Sequence, residues 1–316
     1  MAEPAVSVVV ATRDCAARLR VLLESLAGQT VRDFELVAVD DGSVDSTRRL
    51  LAEEVERGRL SLRVVRREVA GGPSAARNDG WRVASGSLVV FVDDDCRATR
   101  GWLAAFVREA GDGGAILQGR TLPDPAEASS LGPFSRSLWV ESPGPYYQAC
   151  NIAYPRALLE RLGGFDADAF PMVGEDTDLA WRALAAGAEI GWVPEALVHH
   201  AVARLGALGK LRSAARWTPS IRLFARHPAL RAEHLTYGVF WKGTHYLLVR
   251  AIAGLALRRR APLLALWLAA PYVRNLLDRG HVEGGGPAAA PFHALCDVVE
   301  VGAVARGAAR YRTCVL

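Results

Sequence analysis

The sequence lacks the patterns that mark several large classes of protein. Its five cysteines are an odd number with no CxxC pair, so we expect neither a zinc ribbon nor a disulfide framework. The phosphate-binding fingerprints GxGxxG and GxxxxGKS/T are both missing, which argues against a dinucleotide-binding Rossmann domain and a P-loop protein. No uninterrupted apolar run reaches the roughly 18 residues of a membrane-spanning helix, and the nearest, 261–273, contains a proline.

A secretory signal is also not indicated. The N-terminal residues have no basic segment and no long apolar core, and they predict a buried strand instead. Together with the cysteine pattern, this makes the cytoplasm the expected compartment.

The charges that are present are unevenly distributed. The 316 residues are 51% hydrophobic and 23% charged, an ordinary balance for a globular protein with a large core. Residues 1–200 hold 21 Arg and Lys against 29 Asp and Glu, a net charge of −8, whereas residues 201–316 hold 17 against 5, a net charge of +12. This asymmetry predicts two regions with different roles, an acidic one over 1–200 and a basic one over 201–316.

The first 95 residues alternate between strand-like and helix-like segments. The predicted strands are 5–11, 34–39, 62–65 and 88–92, and the predicted helices are 16–27, 46–57 and 74–84. Alternation of this kind is typical of an α/β fold with a mostly parallel sheet flanked by helices. Polar clusters follow three strand ends, at Thr12–Asp14, Asp40–Ser43 and Asp93–Asp95. We expect them on one rim, because ligands of such sheets bind beyond the carboxyl ends of the strands.

The remaining segments are less regular. Helices are predicted over 101–110, 154–162, 175–186 and 292–306, strands over 189–193 and 196–200, and a long loop over 121–147. Apolar stretches at 235–257 and 261–277 flank Arg258-Arg259-Arg260. They fit either helices lying in a bilayer interface or a helical subdomain packed on the catalytic core.

Asp93-Asp94-Asp95 is the first candidate for chemistry. Carboxylates this close repel one another, and a divalent cation with a preference for oxygen ligands, Mg²⁺ or Mn²⁺, would relieve the repulsion. A calcium loop or a solvated turn is the alternative. Asp40 and Asp41 could accept hydrogen bonds from a base or a ribose, or could simply form a turn.

Three further groups of residues could complete a site. Arg77 could face a diphosphate, or could form a surface salt bridge. Glu175 and Asp176 open a helix, where they could be caps favoured by the helix dipole or a general base in a partly desolvated pocket. Of His199 and His200, only one can face the site, because successive side chains of a strand point to opposite faces.

At this point the sequence resembles a known family. The segments VSVVVATRD, FELVAVDDGSVDST, GGPSAARNDGWRVASGSLVVFVDDDC, ACNIAYPRALLERLGGFD, VGEDTDLAWRALAAG and ALVHH occur in the order found in family 2 glycosyltransferases with a GT-A fold. The resemblance covers about residues 6–200, and it implies a GT-A catalytic domain over 1–200 that is followed by a basic, mainly helical region over 201–316. It implies inverting transfer of a sugar from a nucleotide-diphosphate sugar to an acceptor hydroxyl. The Arg- and Trp-rich tail resembles that of membrane-associated members.

The resemblance also assigns roles. Asp176 is the implied catalytic base, with Glu175 beside it. A Mn²⁺ or Mg²⁺ ion is implied at Asp93, Asp95 and His200, with His199 as the alternative. The acceptor side is implied at Trp181 and Arg182. The residues expected to bind the nucleotide and the donor are Thr12, Arg13, Asp14, Asp40, Asp41, Arg77, Asp93, Asp94 and Asn151, with Cys150 as a weaker candidate.

Two other functions remain open. A nucleotidyltransferase could use a similar sheet and carboxylates, and a non-catalytic module could bind the same nucleotide sugar. The expected partners are the donor, a glycan or lipid-linked acceptor, and an anionic membrane surface at the inner face of the plasma membrane. Nucleic acid is not expected, because the basic residues are interleaved with long apolar runs.

Overall fold

The computed structural model describes residues 5–111 and 114–316. The first four residues of the predicted N-terminal domain lie outside the described residues. The chain divides into two compact units. The first contains the described residues up to Glu127 together with Ser137–Ala201, and the second contains Ala128–Arg136 and Val202–Leu316. The second unit therefore takes one segment from inside the predicted loop 121–147.

The described residues form ten strands and twelve α-helices. The strands are β1 Val6–Thr12, β2 Glu35–Asp41, β3 Ser61–Arg67, β4 Leu88–Val92, β5 Cys96–Ala98, β6 Ile116–Pro123, β7 Ser135–Arg136, β8 Asn151–Pro155, β9 Ile190–His200 and β10 Ala203–Arg204. The helices are α1 Ala16–Ala27, α2 Thr47–Arg57, α3 Pro73–Val83, α4 Trp102–Ala110, α5 Arg156–Leu162, α6 Glu175–Ala185, α7 Gly206–Ala215, α8 Ile221–Arg226, α9 Pro228–His234, α10 Gly243–Leu257, α11 Pro262–Val282 and α12 Ala290–Tyr311.

The sheet of the first unit has eight strands in the order β3-β2-β1-β4-β8-β6-β9-β5. Strands β3, β2, β1 and β4 run parallel, as the alternation of the sequence predicts. Strand β8 is antiparallel to both β4 and β6, and β5 is antiparallel to β9. Strand β9 pairs in parallel with β6. The predicted fold class, a mostly parallel α/β sheet flanked by helices with a C-terminal helical region, is confirmed.

The second half of the sheet differs from the prediction in three places. Strands β5, β6 and β8 were not predicted, and the helix expected at 154–162 begins only at Arg156, after β8. The two strands predicted at 189–193 and 196–200 are one strand, β9, whose register against β6 shifts between Gly119 and Arg120. These strands are short or carry polar residues, so their hydrophobic pattern is weak. Pairing within the sheet determines them.

Alternate residues of β1 contribute to two different cores. Val8 and Val10 pack with α1 and α4, whereas Val9 packs with α3, α5 and α6. Because helices cover both faces, the central strands are continuous apolar runs, and their polar residues lie beyond the strand ends. A Cβ atom on Gly80 of α3 would lie 2.5 Å from the Val9 side chain. This close packing of α3 on the sheet brings Arg77, one turn earlier in the helix, to the rim.

The second unit is mainly helical and also contains the two-stranded sheet of β7 and β10. Its last helix, α12, carries buried charges: Asp297 accepts hydrogen bonds from Tyr272 Oη at 2.9 Å and Arg279 Nη1 at 2.8 Å, and Glu300 pairs with Lys242. Among the described residues, one helical stretch, Gly286–Tyr311, is long and apolar enough to cross a membrane. This corrects the prediction that no segment is long and apolar enough to span a membrane, because the stretch contains polar residues and is not an uninterrupted apolar run. The ion pairs of α12 favour a helix packed inside this unit.

Candidate active site

Two neighbouring aspartates and a histidine that is distant in the sequence form the centre of the site. Asp93 and Asp95 follow β4, and His200 ends β9. Strand β5 pairs with β9 so that Cys96 lies opposite His200, which places the imidazole beside Asp95. One carboxylate oxygen from each aspartate and one imidazole nitrogen lie within 4.8 Å of one another. His200 Nε2 is 3.3 Å from Asp95 Oδ1.

The His200 ring is oriented by the backbone. Its Nδ1 is 2.8 Å from the carbonyl oxygen of Ala201. A carbonyl oxygen only accepts hydrogen bonds, so we assign the ring proton to Nδ1, which leaves the Nε2 lone pair facing the carboxylates. Two carboxylates and a neutral imidazole are donors that suit Mn²⁺ or Mg²⁺, and the predicted metal residues therefore fit such an ion.

His199 does not take part in this cluster. It lies on the other face of β9, where burial lowers the pKa of its imidazole and the nearby Arg97 lowers it further. The strand alternation that separates the two histidines was predicted, and the structure places His200 at the site. The structure therefore favours His200 over the alternative ligand His199, and metal binding itself stays a prediction.

Asp94 is not part of the cluster with His200. It lies against Thr12 and Cys15 at the end of β1. Burial raises the pKa of Asp94 to about 7, and repulsion from Asp95 and Asp93 adds to the shift, whereas the Thr12 hydroxyl opposes it. The three aspartates thus divide into a pair facing His200 and one facing the end of β1.

Arg77 connects the cluster to the beginning of α6. Its Nη2 donates to Asp93 Oδ1 at 2.8 Å, and its Nη1 donates to Glu175 Oε1 at 2.8 Å. The arginine is only 7% exposed, so a surface salt bridge, the alternative considered from the sequence, is wrong. Burial acts to lower the pKa of Arg77, but the carboxylates of Asp93 and Glu175 outweigh it and raise the pKa above its ordinary value. The guanidinium therefore stays charged.

Asp176 is the next residue along. It is half-buried, its Oδ1 accepts a hydrogen bond from the Thr177 N–H at 2.7 Å, and its Oδ2 accepts one from the Ala149 N–H at 3.3 Å. Burial raises the pKa of Asp176 to about 7, repulsion from Glu175 adds to the shift, and Arg77 opposes it. A carboxylate with a pKa near neutrality suits general-base catalysis. The adjacent Glu175 is buried and accepts a hydrogen bond from Arg77, and its catalytic role stays a prediction.

The loops after β1, β2 and β3 are joined by their own carboxylates. Asp40 Oδ1 accepts a hydrogen bond from the Ser43 N–H at 2.9 Å, and the two oxygens of Asp41 each accept one, at 2.8 Å, from Gly71 and Gly72. Asp14 Oδ1 accepts a bond from Val44 at 2.7 Å. Asp40 therefore forms a local turn with Ser43, whereas Asp41 joins this loop to the loop after β3, and the contact of either residue with a nucleoside stays a prediction.

The residues at the end of β1 differ in their exposure. Arg13 is exposed and lies 3.6 Å from its neighbour Asp14, whereas Thr12 is buried. The residues of this segment that were predicted to bind the nucleotide sugar, Thr12–Asp14, thus lie at the carboxyl end of β1. Their contact with a nucleotide stays a prediction.

Asn151 does not belong to the accessible site. Its side-chain amide donates to the carbonyls of Arg120 and Ala196 at 2.8 and 2.7 Å and accepts a bond from Trp102 Nε1 at 2.8 Å. It is fully buried, and it fixes the register shift between β6 and β9. The predicted donor role is corrected to a structural one. Cys150, the weaker candidate beside it, is also buried.

The two residues predicted for the acceptor side also make hydrogen bonds within the protein, and their contact with an acceptor stays a prediction. Trp181 Nε1 donates to the Pro145 carbonyl at 2.9 Å, and Arg182 donates to the carbonyls of Leu162 and Gly164 at 3.0 and 2.6 Å. Asp178 completes the set by pairing with Arg182 at 2.8 Å. Motif spacing placed both residues on the correct helix, but only packing determines which face of the helix they occupy.

Two groups that contact the site residues were not predicted from the sequence. The Ala149 N–H that holds Asp176 is a backbone donor, and backbone donors leave no signature in residue type. Cys15 directly follows the Thr12–Asp14 cluster and lies against Asp94. Burial raises the pKa of the Cys15 thiol to about 12, with Asp94 and Asp95 adding to the shift, so the thiol is protonated at neutral pH.

Comparison with protein families identifies the chain. Residues 7–163 match the model described as glycosyl transferase family 2, and residues 88–276 match the model described as glycosyl transferase family group 2. The second match covers more than half of the sequence. The chain belongs to the family 2 glycosyltransferases. The predicted family is confirmed, whereas its membrane-associated character stays a prediction.

Curated relatives in this family differ in the acceptors that they name. The chain is 29% identical over 208 residues to a pre-mycofactocin glycosyltransferase of Mycobacterium tuberculosis, covering 62% of this chain and 42% of that protein. It is 30% identical over 221 residues to a validoxylamine A glucosyltransferase of Streptomyces hygroscopicus, covering 58% and 52% respectively. The chain thus spans about half the length of these relatives.

A solved structure confirms the GT-A fold of this family 2 member. The mannosyltransferase PcManGT of Pyrobaculum calidifontis, in complex with GDP-Man and Mn²⁺, superposes with a TM-score of 0.61 at 23% identity. The similarity covers 97% of this chain and 88% of that one.

Proposed function

We propose that this family 2 glycosyltransferase is a metal-dependent, inverting enzyme that moves a sugar from a nucleotide-diphosphate sugar to an acceptor hydroxyl. One observation carries the proposal. A short chain of contacts runs from the cluster Asp93, Asp95 and His200, through Arg77 and Glu175, to a carboxylate whose pKa is about 7, Asp176. All of these residues lie in the first unit, to which we assign the reaction.

The cluster would hold Mn²⁺ or Mg²⁺ through one oxygen of each aspartate and through His200 Nε2. Such a cation supplies positive charge to the diphosphate leaving group as negative charge develops on it. The hydrogen bond from His200 Nδ1 to the carbonyl oxygen of Ala201 leaves Nε2 available as a metal ligand. The mannosyltransferase with the same fold was solved with GDP-Man and Mn²⁺, which supports a nucleotide-sugar donor and a divalent ion.

Asp176 is the proposed general base. Its carboxylate takes the proton of the acceptor hydroxyl while that oxygen forms a bond to the anomeric carbon of the donor. The bond from the anomeric carbon to the diphosphate breaks, and its electron pair leaves with the nucleoside diphosphate. Attack from the face opposite the leaving group inverts the centre in one step, so no nucleophilic side chain is needed, unlike in retaining glycosidases.

The nucleoside side of the site is proposed at the loops after β1, β2 and β3. Thr12, Arg13 and Asp14 border this rim, together with Asp40 and Asp41, whose hydrogen bonds keep the loops together. We propose that these residues contribute to donor binding because they determine the shape of the rim on which the nucleotide would lie.

The acceptor is proposed to be a lipid-linked or cell-envelope glycan. The support is the basic second unit, which exposes apolar helices. The relatives name two different acceptors, pre-mycofactocin and validoxylamine A, so they do not define a common class. A location on the inner face of the plasma membrane belongs to the same proposal.

Asp176→Asn tests the proposed base. Purified enzyme with Mn²⁺ is incubated with UDP-, GDP- and dTDP-sugars, and the release of nucleoside diphosphate to water is measured. We expect Asp176→Asn to lose about 10²- to 10⁴-fold in turnover, because general-base catalysis typically contributes that much. Nucleotide binding should persist, with about 2.7 kcal/mol of stabilisation at a hundredfold excess over Kd.

Asp33→Asn, at an exposed aspartate before β2, is the matched control and should behave as wild type. Wild-type turnover in Asp176→Asn would refute the base assignment. Release of pyrophosphate would instead indicate a nucleotidyltransferase. Nucleotide binding without any turnover by the wild-type protein would indicate a non-catalytic module.

A further inference from the structure

Helices α10 and α11 form a hairpin whose end exposes large apolar side chains. Leu263 is 83% exposed, Leu266 is 67% exposed and Trp267 is 65% exposed. Ile252 and Leu255 of α10 are also exposed, on the helix that packs against this part of α11. Single exposed apolar residues are normal on protein surfaces, but a continuous group of this size usually marks a contact surface. We call residues 252–267 the hairpin tip.

The charge of this region has only one sign. Residues 234–277 contain six basic residues and no aspartate or glutamate. Arg258, Arg259 and Arg260 form the turn between the two helices, and all three are exposed. Lys242 and Arg274, further from the tip, pair with Glu300 and Asp278 outside this stretch. The apolar side chains of the hairpin tip are next to the positive charge of Arg258–Arg260.

The hairpin is well packed below its tip. A Cβ atom on Gly254 would lie 2.7 Å from the Ala265 carbonyl oxygen, so the two helices approach closely at this point. Further along, Leu248, Tyr272 and Leu276 form a small buried core. The exposed side chains are therefore held in place by a folded base, and their exposure is not a result of loose packing.

The pattern fits the boundary between lipid headgroups and acyl chains. Apolar side chains at such a boundary are buried among the upper acyl chains, arginines contact phosphates, and tryptophan prefers the interface itself. The Arg250 guanidinium lies 4.9 Å from the Trp267 ring centre, which places a cation beside an interfacial aromatic side chain. A second copy of the chain fits less well, since two identical basic tips would repel each other.

We propose that the hairpin tip docks on an anionic phospholipid bilayer surface. Leu263, Leu266 and Trp267 enter the interface, and Arg258–Arg260 contact the lipid phosphates. The contact needs neither donor nor metal, so it is independent of the proposed transfer reaction and can be tested when no acceptor is known.

Flotation of the full-length protein with vesicles tests this proposal. Vesicles of phosphatidylcholine alone are compared with vesicles of phosphatidylcholine and phosphatidylglycerol, at low and high salt. We expect binding to the anionic vesicles that weakens with salt. Arg258→Gln/Arg259→Gln/Arg260→Gln should weaken binding roughly 100-fold, since each arginine near an anionic surface contributes about fivefold. Leu263→Gln/Trp267→Gln should weaken it at least about 10-fold even at low salt, because buried apolar area is lost.

Exposed residues of α2 provide the matched controls. Arg48→Gln/Arg49→Gln changes exposed arginines and Val55→Gln changes an exposed apolar residue, all on the first unit, and both variants should bind as wild type. Brominated lipids should quench part of the tryptophan fluorescence, and Trp267→Phe should lose that part. The proposal would be overturned if the wild-type protein did not bind anionic vesicles at low salt. It would also be overturned if the hairpin variants bound these vesicles as well as the wild type. A dimer that Leu263→Gln/Trp267→Gln dissociates, without vesicle binding, would assign the surface to a second copy instead.

Discussion

Arg77 offers the sharpest test of how the metal cluster and the base depend on each other. Arg77→Met leaves the carboxylates of Asp93 and Glu175 without the cation that now lies 2.8 Å from each. Removing one partner from a buried ion pair typically costs about 3–5 kcal/mol, because the remaining charge stays buried and uncompensated. We therefore expect the free energy of unfolding to fall by roughly that amount in urea denaturation.

The same substitution should change the pH dependence of turnover. Arg77 opposes the rise in the pKa of Asp176, so its removal raises that pKa above the present value of about 7. The base works when deprotonated, so the acidic limb of the kcat/KM profile should move to higher pH. A neighbouring arginine typically shifts a carboxylate pKa by about 1–3 units, and a shift of about one unit would lower activity roughly fivefold at pH 7.

A second variant separates this effect from simple loss of structure. Glu175 raises the pKa of Asp176 and Arg77 lowers it, so Arg77→Met/Glu175→Gln removes two opposing influences. We expect the acidic limb of the double variant to return toward wild type, together with part of the lost stability. Arg82→Met, on the exposed side of the same helix, is the control and should change neither property. An unchanged pH profile in Arg77→Met, with a stability loss below about 1 kcal/mol, would refute the reasoning.

Two further substitutions test the metal cluster and the correction made for Asn151. His200→Ala should weaken Mn²⁺ binding at least about tenfold in calorimetric titration, because one of three donors is lost, whereas His199→Ala should leave it unchanged. Equal effects of the two histidine variants would count against the assignment. Asn151→Ala leaves the Trp102 N–H and two backbone carbonyls without their partner, so we expect a stability loss of roughly 2–4 kcal/mol in urea denaturation. The Kd for nucleotide of the folded Asn151→Ala protein should stay at the wild-type value, and a large loss of affinity would restore the donor-binding role.

The parallel half of the sheet was predictable because its signals are local. Strands β1, β2 and β4 are apolar runs that end directly in polar clusters, and a buried strand must place its charged residues beyond its ends. The grouping of Asp93 and Asp95 with a later histidine followed from the same rule and from the resemblance. Strands β5, β6 and β8 carry weak hydrophobic patterns, and their pairing partners are distant in sequence.

The sequence by itself determined the α/β fold, the family and the residue types of the cluster, because strand ends and motif order can be read along the chain. Only the tertiary structure decided which side chains face the site. It buried Asn151 and Trp181, it bound Arg182 to backbone carbonyls, and it placed His200 rather than His199 beside Asp95. The physical reason is that side-chain direction and burial depend on partners far away in sequence. The contacts of Arg77 with residues 16 and 98 positions away are an example.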